Sequence, residues 1–319
     1  MALSGRQHVA EHSASQSAVA SPVIEVANLR KVYGSLVAVE EVSFAVEAGE
    51  IFGILGPNGA GKSTTVEAMV GLRPIDGGHV RVLGLDPHRH GPQVRELVGV
   101  QLQQAKLPAR LRVGEAMELY AAFYRDPADP AELMQRLGLT KHSGTSFADL
   151  SGGQQQRLSI ALSLVGNPRI AVLDELTTGL DPNARRATWE LVRDIRDGGV
   201  TVVLVTHYMD EAEVLCDRLA IIRSGRVAAI GRPGELSGSN EETYLLLLPV
   251  GVDPGQVVSR AGMTHLASVG ADSVEVTGGP TSLTRALSSL AALGVTPASI
   301  QTRSRNLDDA YTELTSEDL

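Results

Sequence analysis

Apolar positions along the chain follow two different periods, and each predicts a different kind of element. Residues 23–34 and 37–46 alternate apolar with polar side chains, which predicts half-buried strands of an antiparallel edge sheet. Three short stretches are nearly continuous in apolar residues: Ile51-Phe52-Gly53-Ile54-Leu55, Ile170-Ala171-Val172-Leu173 and Thr201-Val202-Val203-Leu204-Val205. Runs of that length predict buried strands. Helical spacing appears over residues 64–70, 115–124, 131–137, 155–162, 184–196 and 211–216. Gly138 is placed to cap the 131–137 helix, and Asp197-Gly198-Gly199 ends the 184–196 helix. A short strand is expected at 79–84, and strands at 218–223 and 225–231 flank the hairpin signal Ser224-Gly225. Strands that alternate with helices in this way predict an α/β core.

The pattern changes near Ser237-Gly238-Ser239-Asn240, which reads as a linker within residues 237–242. Beyond it, strands are expected near 243–248, 265–269, 273–277 and 298–302, with helices near 254–261 and 282–290. This βαββαβ order predicts a small ferredoxin-like α+β domain over 243–319. At the other end, residues 1–22 are rich in Ala, Ser, Gln and His and lack an apolar core. A disordered tail is the expectation there, and neither a signal peptide nor an anchor.

Composition narrows the function. Aromatic residues make up 3% of the 319, too few for the stacking platforms of single-stranded nucleic-acid binders. A net charge of -9 disfavours a nucleic-acid partner as well. The one cysteine, Cys216, cannot form an internal disulfide and falls on an expected helix as a core residue. No apolar run approaches the length of a membrane span, so any pore driven by this chain is expected on another polypeptide.

The chemistry sits where the buried strands end. After the first comes Gly56-Pro57-Asn58-Gly59-Ala60-Gly61-Lys62-Ser63-Thr64, a G-x-x-x-x-G-K-[ST] phosphate loop. Gly56, Gly59 and Gly61 let backbone N–H groups turn inward toward phosphate oxygens. Lys62 supplies a point charge for the β- and γ-phosphates, and Ser63 a hydroxyl for Mg2+. The helix that follows adds its N-terminal dipole. After the second strand, Asp174 can hold Mg2+ through water, and Glu175 can orient and deprotonate an attacking water. Leu150-Ser151-Gly152-Gly153-Gln154 opens a helix and makes a second anion site. Lys62 already serves the γ-phosphate, so this second site makes sense if it approaches from another subunit.

Taken together, residues 23–236 resemble the nucleotide-binding domain of ABC transporters, a P-loop NTPase with a RecA-like core, an antiparallel β subdomain and a helical subdomain (about 104–165). The resemblance implies ATP and Mg2+ as cofactors. It also implies that Tyr33 stacks on adenine and that Gln103 touches Mg2+ and senses the transport partner. Gln104 is adjacent and leaves that register open by one residue. Ser151, Gly152, Gly153 and Gln154 match the family signature, Asp181 in Gly179-Leu180-Asp181 matches the D-loop, and His207 matches the switch histidine that contacts the γ-phosphate. Two partners are implied: a second copy bound head to tail, and a separate integral-membrane permease met through the helical subdomain. The place of action would be the inner face of the cell membrane, with no nucleic acid expected.

The stretch Thr206-His207-Tyr208-Met209-Asp210-Glu211-Ala212-Glu213 and the ending Asn306-Leu307-Asp308-Asp309-Ala310-Tyr311 are similar to daunorubicin-resistance-type exporter ATPases. An importer subunit and a soluble ABC ATPase are the alternatives. One cassette, one cysteine and no sustained heptads argue against the soluble kind. The C-terminal domain could also be an inert cap that stabilises a dimer. One departure from the family stands after Glu175, where proline is usual and Leu176 is found. Leucine frees a φ angle without removing a chemical group. Leu176→Pro is therefore expected to change ATP turnover by less than about tenfold, roughly 1.4 kcal/mol of barrier, in a steady-state phosphate-release assay.

Overall fold

Strands buried on both faces need helices on both sides, and the chain supplies them in turn. The structure is a computed structural model that describes residues 21–102, 107–238, 243–263, 265–269, 272–278, 280–303 and 307–316. Gln103, Gln104, most of the expected N-terminal tail and residues 239–242 of the expected linker lie outside the described residues.

The chain opens with β1 (Ile24–Tyr33), β2 (Leu36–Val46), β3 (Ile51–Leu55), α1 (Lys62–Met69) and β4 (Gly77–Val82). Then come α2 (Gly91–Leu97), β5 (Val98–Gln101), α3 (Val113–Ala121), α4 (Pro130–Arg136) and α5 (Gly152–Leu164). β6 (Ile170–Asp174), α6 (Pro182–Asp197), β7 (Thr201–Thr206), α7 (Met209–Leu215), β8 (Arg218–Arg223), β9 (Arg226–Gly231) and α8 (Pro233–Leu236) complete the first unit. One nine-stranded sheet joins its strands in the order β4-β1-β2-β9-β8-β3-β7-β6-β5. β1, β2 and β4 pair antiparallel, whereas β8, β3, β7, β6 and β5 run parallel.

The period of two along the parallel strands splits the core between the two faces. Ile51, Leu55, Leu173, Val202, Leu204 and Ile221 face one cluster, which includes side chains of α3, α5, α6 and α7. Phe52, Ile54, Val172, Val203, Val205 and Ile222 face the other, with α1 and the antiparallel strands. The β8–β9 hairpin turns through Ser224 and Gly225 at φ +48° and +73°, as a two-residue turn of this hand requires. Its Gly225 carbonyl accepts from the Glu40 and Glu41 N–H groups at 2.8 and 3.1 Å, while the Gly225 N–H donates to the Ala60 carbonyl at 3.0 Å. The hairpin thus braces both the antiparallel strands and the phosphate loop.

The second unit contains β10 (Thr243–Leu247), α9 (Pro254–Ala261), β11 (Leu266–Val269), β12 (Ser273–Thr277), α10 (Pro280–Ala292) and β13 (Ser299–Arg303). Its sheet order is β11-β12-β10-β13, all antiparallel, which is the split βαβ arrangement of ferredoxin-like folds. Leu246, Val274, Val276, Ala286 and Leu290 form its own core. The last helix, α11 (Leu307–Ser316), leaves that unit and returns to the first. Leu307 is fully buried in the larger core cluster, Tyr311 packs beside it, and the Leu307 N–H donates to the Glu213 carboxylate on α7.

Truncating a fully buried leucine costs about 2–5 kcal/mol. Leu307→Ala is expected to weaken docking of α11 by that order and to speed amide exchange in α7 and α11 ahead of the sheet. Unchanged hydrogen-exchange protection in both helices would contradict the docking role.

Candidate active site

Parallel strands deliver their C-terminal ends to one edge of a sheet, and ligands of α/β proteins gather there. β3, β7 and β6 are neighbours in register, with Leu55 beside Thr206 and Asp174 beside Val205. The phosphate loop, His207 and the Asp174-Glu175 pair therefore emerge side by side. The loop has no room for larger residues at two of its glycines. A Cβ on Gly61 (φ +101°) would meet the Ala38 carbonyl oxygen at 2.6 Å, and one on Gly56 would meet that of Ile222 at 2.2 Å.

Lys62 begins α1 and is 6% exposed. Its ammonium donates to the Gly56 and Pro57 carbonyls at 2.8 and 3.0 Å, which holds it across the mouth of the loop. Burial lowers its pKa, and the charges of Glu175 and Asp174 oppose that shift. A cavity of 530 Å³ opens above it, lined by Tyr33, Asn58, Gly59, Gly61, Lys62, Ser63, Thr64 and Glu175. Tyr33 is 38% exposed at one end, with the Lys31 ammonium 5.4 Å and the Arg73 guanidinium 5.8 Å from its ring centre. Ala60 is buried beneath the loop.

Asp174 ends β6 almost wholly buried. Its N–H donates to the side-chain oxygen of Gln101 at 3.1 Å. Gln101 escaped the sequence reading, although it stands at the end of the short apolar stretch that forms β5. Glu175 follows at φ +50°, a left-handed conformation unusual for a residue with a side chain. Its Oε1 lies 3.1 Å from His207 Nδ1. An ionised carboxylate only accepts, so the proton of that bond sits on Nδ1.

The signature residues stand elsewhere. Ser151 is the N-cap of α5, and Gly152 and Gly153 form its first turn, packed near Leu180 and Ala184 of their own chain. None of Ser151, Gly152, Gly153 or Gln154 lines the cavity above Lys62. Asp181 caps α6, where its carboxylate accepts from the N–H groups of Asn183 and Ala184 at 2.9 and 3.0 Å.

The family described as ABC transporter matches residues 39–178. The Nod factor export ATP-binding protein I of Rhizobium johnstonii is 40% identical over 228 residues, covering 70% of this chain and 73% of that protein. The chain belongs to the ABC transporter ATP-binding family. A linearmycin resistance ATP-binding protein of Bacillus subtilis is 32% identical over 260 residues, covering 80% of this chain and 84% of the relative. Among solved structures, an ATP-binding subunit of an ABC transporter aligns with a TM-score of 0.61 at 28% identity, over 68% of this chain and 92% of the other. A dimeric cassette in a post-hydrolysis state, bound to ADP and Pi, aligns with a TM-score of 0.58 at 27% identity, over 66% and 98%. This ABC protein is an ATPase subunit of the exporter type.

The donors around the cassette's cavity also bear on a metal. Ser63 and Asp174 offer hard oxygen atoms, which suit Mg2+. No cluster of three His, Cys, Asp or Glu able to hold a metal occurs among the described residues.

Behind the site, Glu211 on α7 is 1% exposed and accepts from the Trp189 indole N–H of α6 at 3.1 Å. Burial raises its carboxyl pKa above the usual carboxylate range. The folded state thus holds this proton more tightly than the unfolded chain. That contribution favours folding at acid pH and is lost as pH rises from the ordinary carboxylate value through the raised one. Glu211→Gln removes the titration. Thermal melts between about pH 5 and pH 8 are expected to show the variant gaining on the parent as pH rises.

Proposed function

We propose that two copies of this ABC ATPase close head to tail around two ATP molecules and, by closing and reopening, drive export through a separate integral-membrane permease. The observation that carries this reading is the separation within one chain of the Lys62 cavity from the signature turn of α5. A second copy brings the missing anion site. In each composite site, Tyr33 stacks on the adenine, and the loop from Gly56 to Thr64 wraps the phosphates. Lys62 meets the β- and γ-phosphates, and Ser151, Gly152 and Gly153 of the other copy approach the γ-phosphate. Ser63 and Asp174, with Gln103, would hold Mg2+, which neutralises charge that builds on the phosphates.

Glu175 orients the attacking water and takes its proton, and the bond from His207 fixes the carboxylate's direction. His207 also senses the γ-phosphate. Asp181 at the head of α6 joins the two sites of the pair. Relatives named for Nod factor export and linearmycin resistance support outward transport. No described helix is long and apolar enough to cross a membrane. The export relatives support a pore on another chain and action at the inner membrane face.

Full-length Glu175→Gln is expected to lose at least about 100-fold in ATP turnover. It should form a stable ATP-dependent dimer by size-exclusion chromatography and, from detergent-solubilised membranes, retain a multi-span protein identified by mass spectrometry. Wild-type turnover would remove Glu175 from the role of base. Retention of ribosomal or DNA-repair proteins with no membrane protein would sink the transport reading.

A further inference from the structure

Gln154 uses both ends of its side chain inside its own subunit. Its Oε1 accepts the Ser151 N–H at 2.8 Å, and the Gln154 backbone N–H donates to the Ser151 hydroxyl at 3.4 Å. This reciprocal pair is a capping box that holds the signature turn in shape. The first of these bonds fixes the orientation of the carboxamide, because only its oxygen can accept from a backbone N–H. Its amide nitrogen therefore points the other way, to the Nε2 of His142 at 3.0 Å. An amide nitrogen only donates. His142 Nε2 must carry a lone pair, and the ring proton belongs on Nδ1.

His142 itself is well anchored. It closes a 3-10 turn, Thr140–His142, that follows α4. Leu139, just before the turn, is fully buried, and its N–H donates to the Met134 carbonyl at 2.7 Å. The His142 N–H donates to the Leu139 carbonyl and its own carbonyl accepts from Thr145, both at 2.8 Å. A continuous path thus runs from α4 through His142 and Gln154 to Ser151.

We infer that His142 is a positioning residue for the signature turn: as an obligatory hydrogen-bond acceptor it holds the Gln154 carboxamide, and so aims Ser151 and the first N–H groups of α5 at the γ-phosphate of ATP bound to the other copy. This rests on the head-to-tail reading above. The ring never touches nucleotide. Its effect is confined to closure of the pair, and binding of ATP to the loop of its own subunit is independent of it.

The test uses the full chain carrying Glu175→Gln, with ATP-dependent dimerisation followed by light scattering and binding of a fluorescent ATP analogue to the dilute monomer. Adding His142→Leu is expected to raise the ATP concentration for half-maximal dimerisation about fivefold to tenfold, the factor that one helix cap is worth, and to leave monomer binding unchanged. His142→Gln, whose side-chain oxygen reaches the place of Nε2, is expected to restore the parent value within about twofold. Should the leucine variant fail to fold, as loss of monomer binding would show, His142→Lys decides: it sets a donor against a donor and is expected to weaken dimerisation while His142→Gln does not. Equal dimerisation by the acceptor-free variants and the parent, or failure of His142→Gln alongside them, would overturn the role. If the Glu175→Gln parent itself stays monomeric at millimolar ATP, the two-copy reading falls and takes this inference with it. Those outcomes separate on the parent alone.

Discussion

The parallel hydrogen bonds that set β3 beside β7 and β7 beside β6 are the constraint on which the rest of this ATPase depends. They bring a glycine loop, a histidine and two carboxylates to one line without any of those residues needing to contact the others during folding. The apolar side chains on both faces of those strands fix the alignment, because a one-residue slip would exchange the two core clusters wholesale. The site is thereby set by packing several residues away from its chemistry. The β8–β9 hairpin adds a clamp from the side, through backbone bonds to Ala60 and to Glu40 and Glu41.

Within that frame the charges are close and mostly shielded from water. Lys62 sits among carbonyl oxygens and near two carboxylates, whose charges oppose the lowering of its pKa by burial. Glu175 is held left-handed, which costs a residue with a side chain about 1–2 kcal/mol. Leu176 after it is fully buried in the core, and the Glu175 N–H donates to the Val205 carbonyl at 2.9 Å. Local strain at a functional position is thus held by packing on one side and sheet bonding on the other.

Elements with dense local signals were legible in the sequence. β8 was expected at its observed bounds, since a run of apolar residues and a Ser-Gly turn carry their own register. The phosphate loop and the Asp174-Glu175 pair were legible because their chemistry demands particular residues at fixed spacing. α2 was not, because only Val94 of its seven residues is buried and no periodicity shows. Gln101 and His142 were missed for another reason. Each gains its role from a partner distant in sequence, 73 residues for Gln101 and Asp174 and 12 for His142 and Gln154. A lone glutamine or histidine carries no mark of such a bond. The return of α11 was invisible in the same way, since an amphipathic ending does not say which surface it covers.

That return alters how the protein can be made. Leu307 belongs to the same apolar cluster as Ile51, Leu173 and Leu204. A ribosome releases those inner strands before the four-stranded unit and Leu307 after it. The larger core therefore stays open on one side until the four-stranded unit has been made, and that unit is threaded between two parts of the same core. Translation order places α11 after both units, so a nascent chain cut short before α11 leaves α7, the helix behind His207, without the neighbour that covers it.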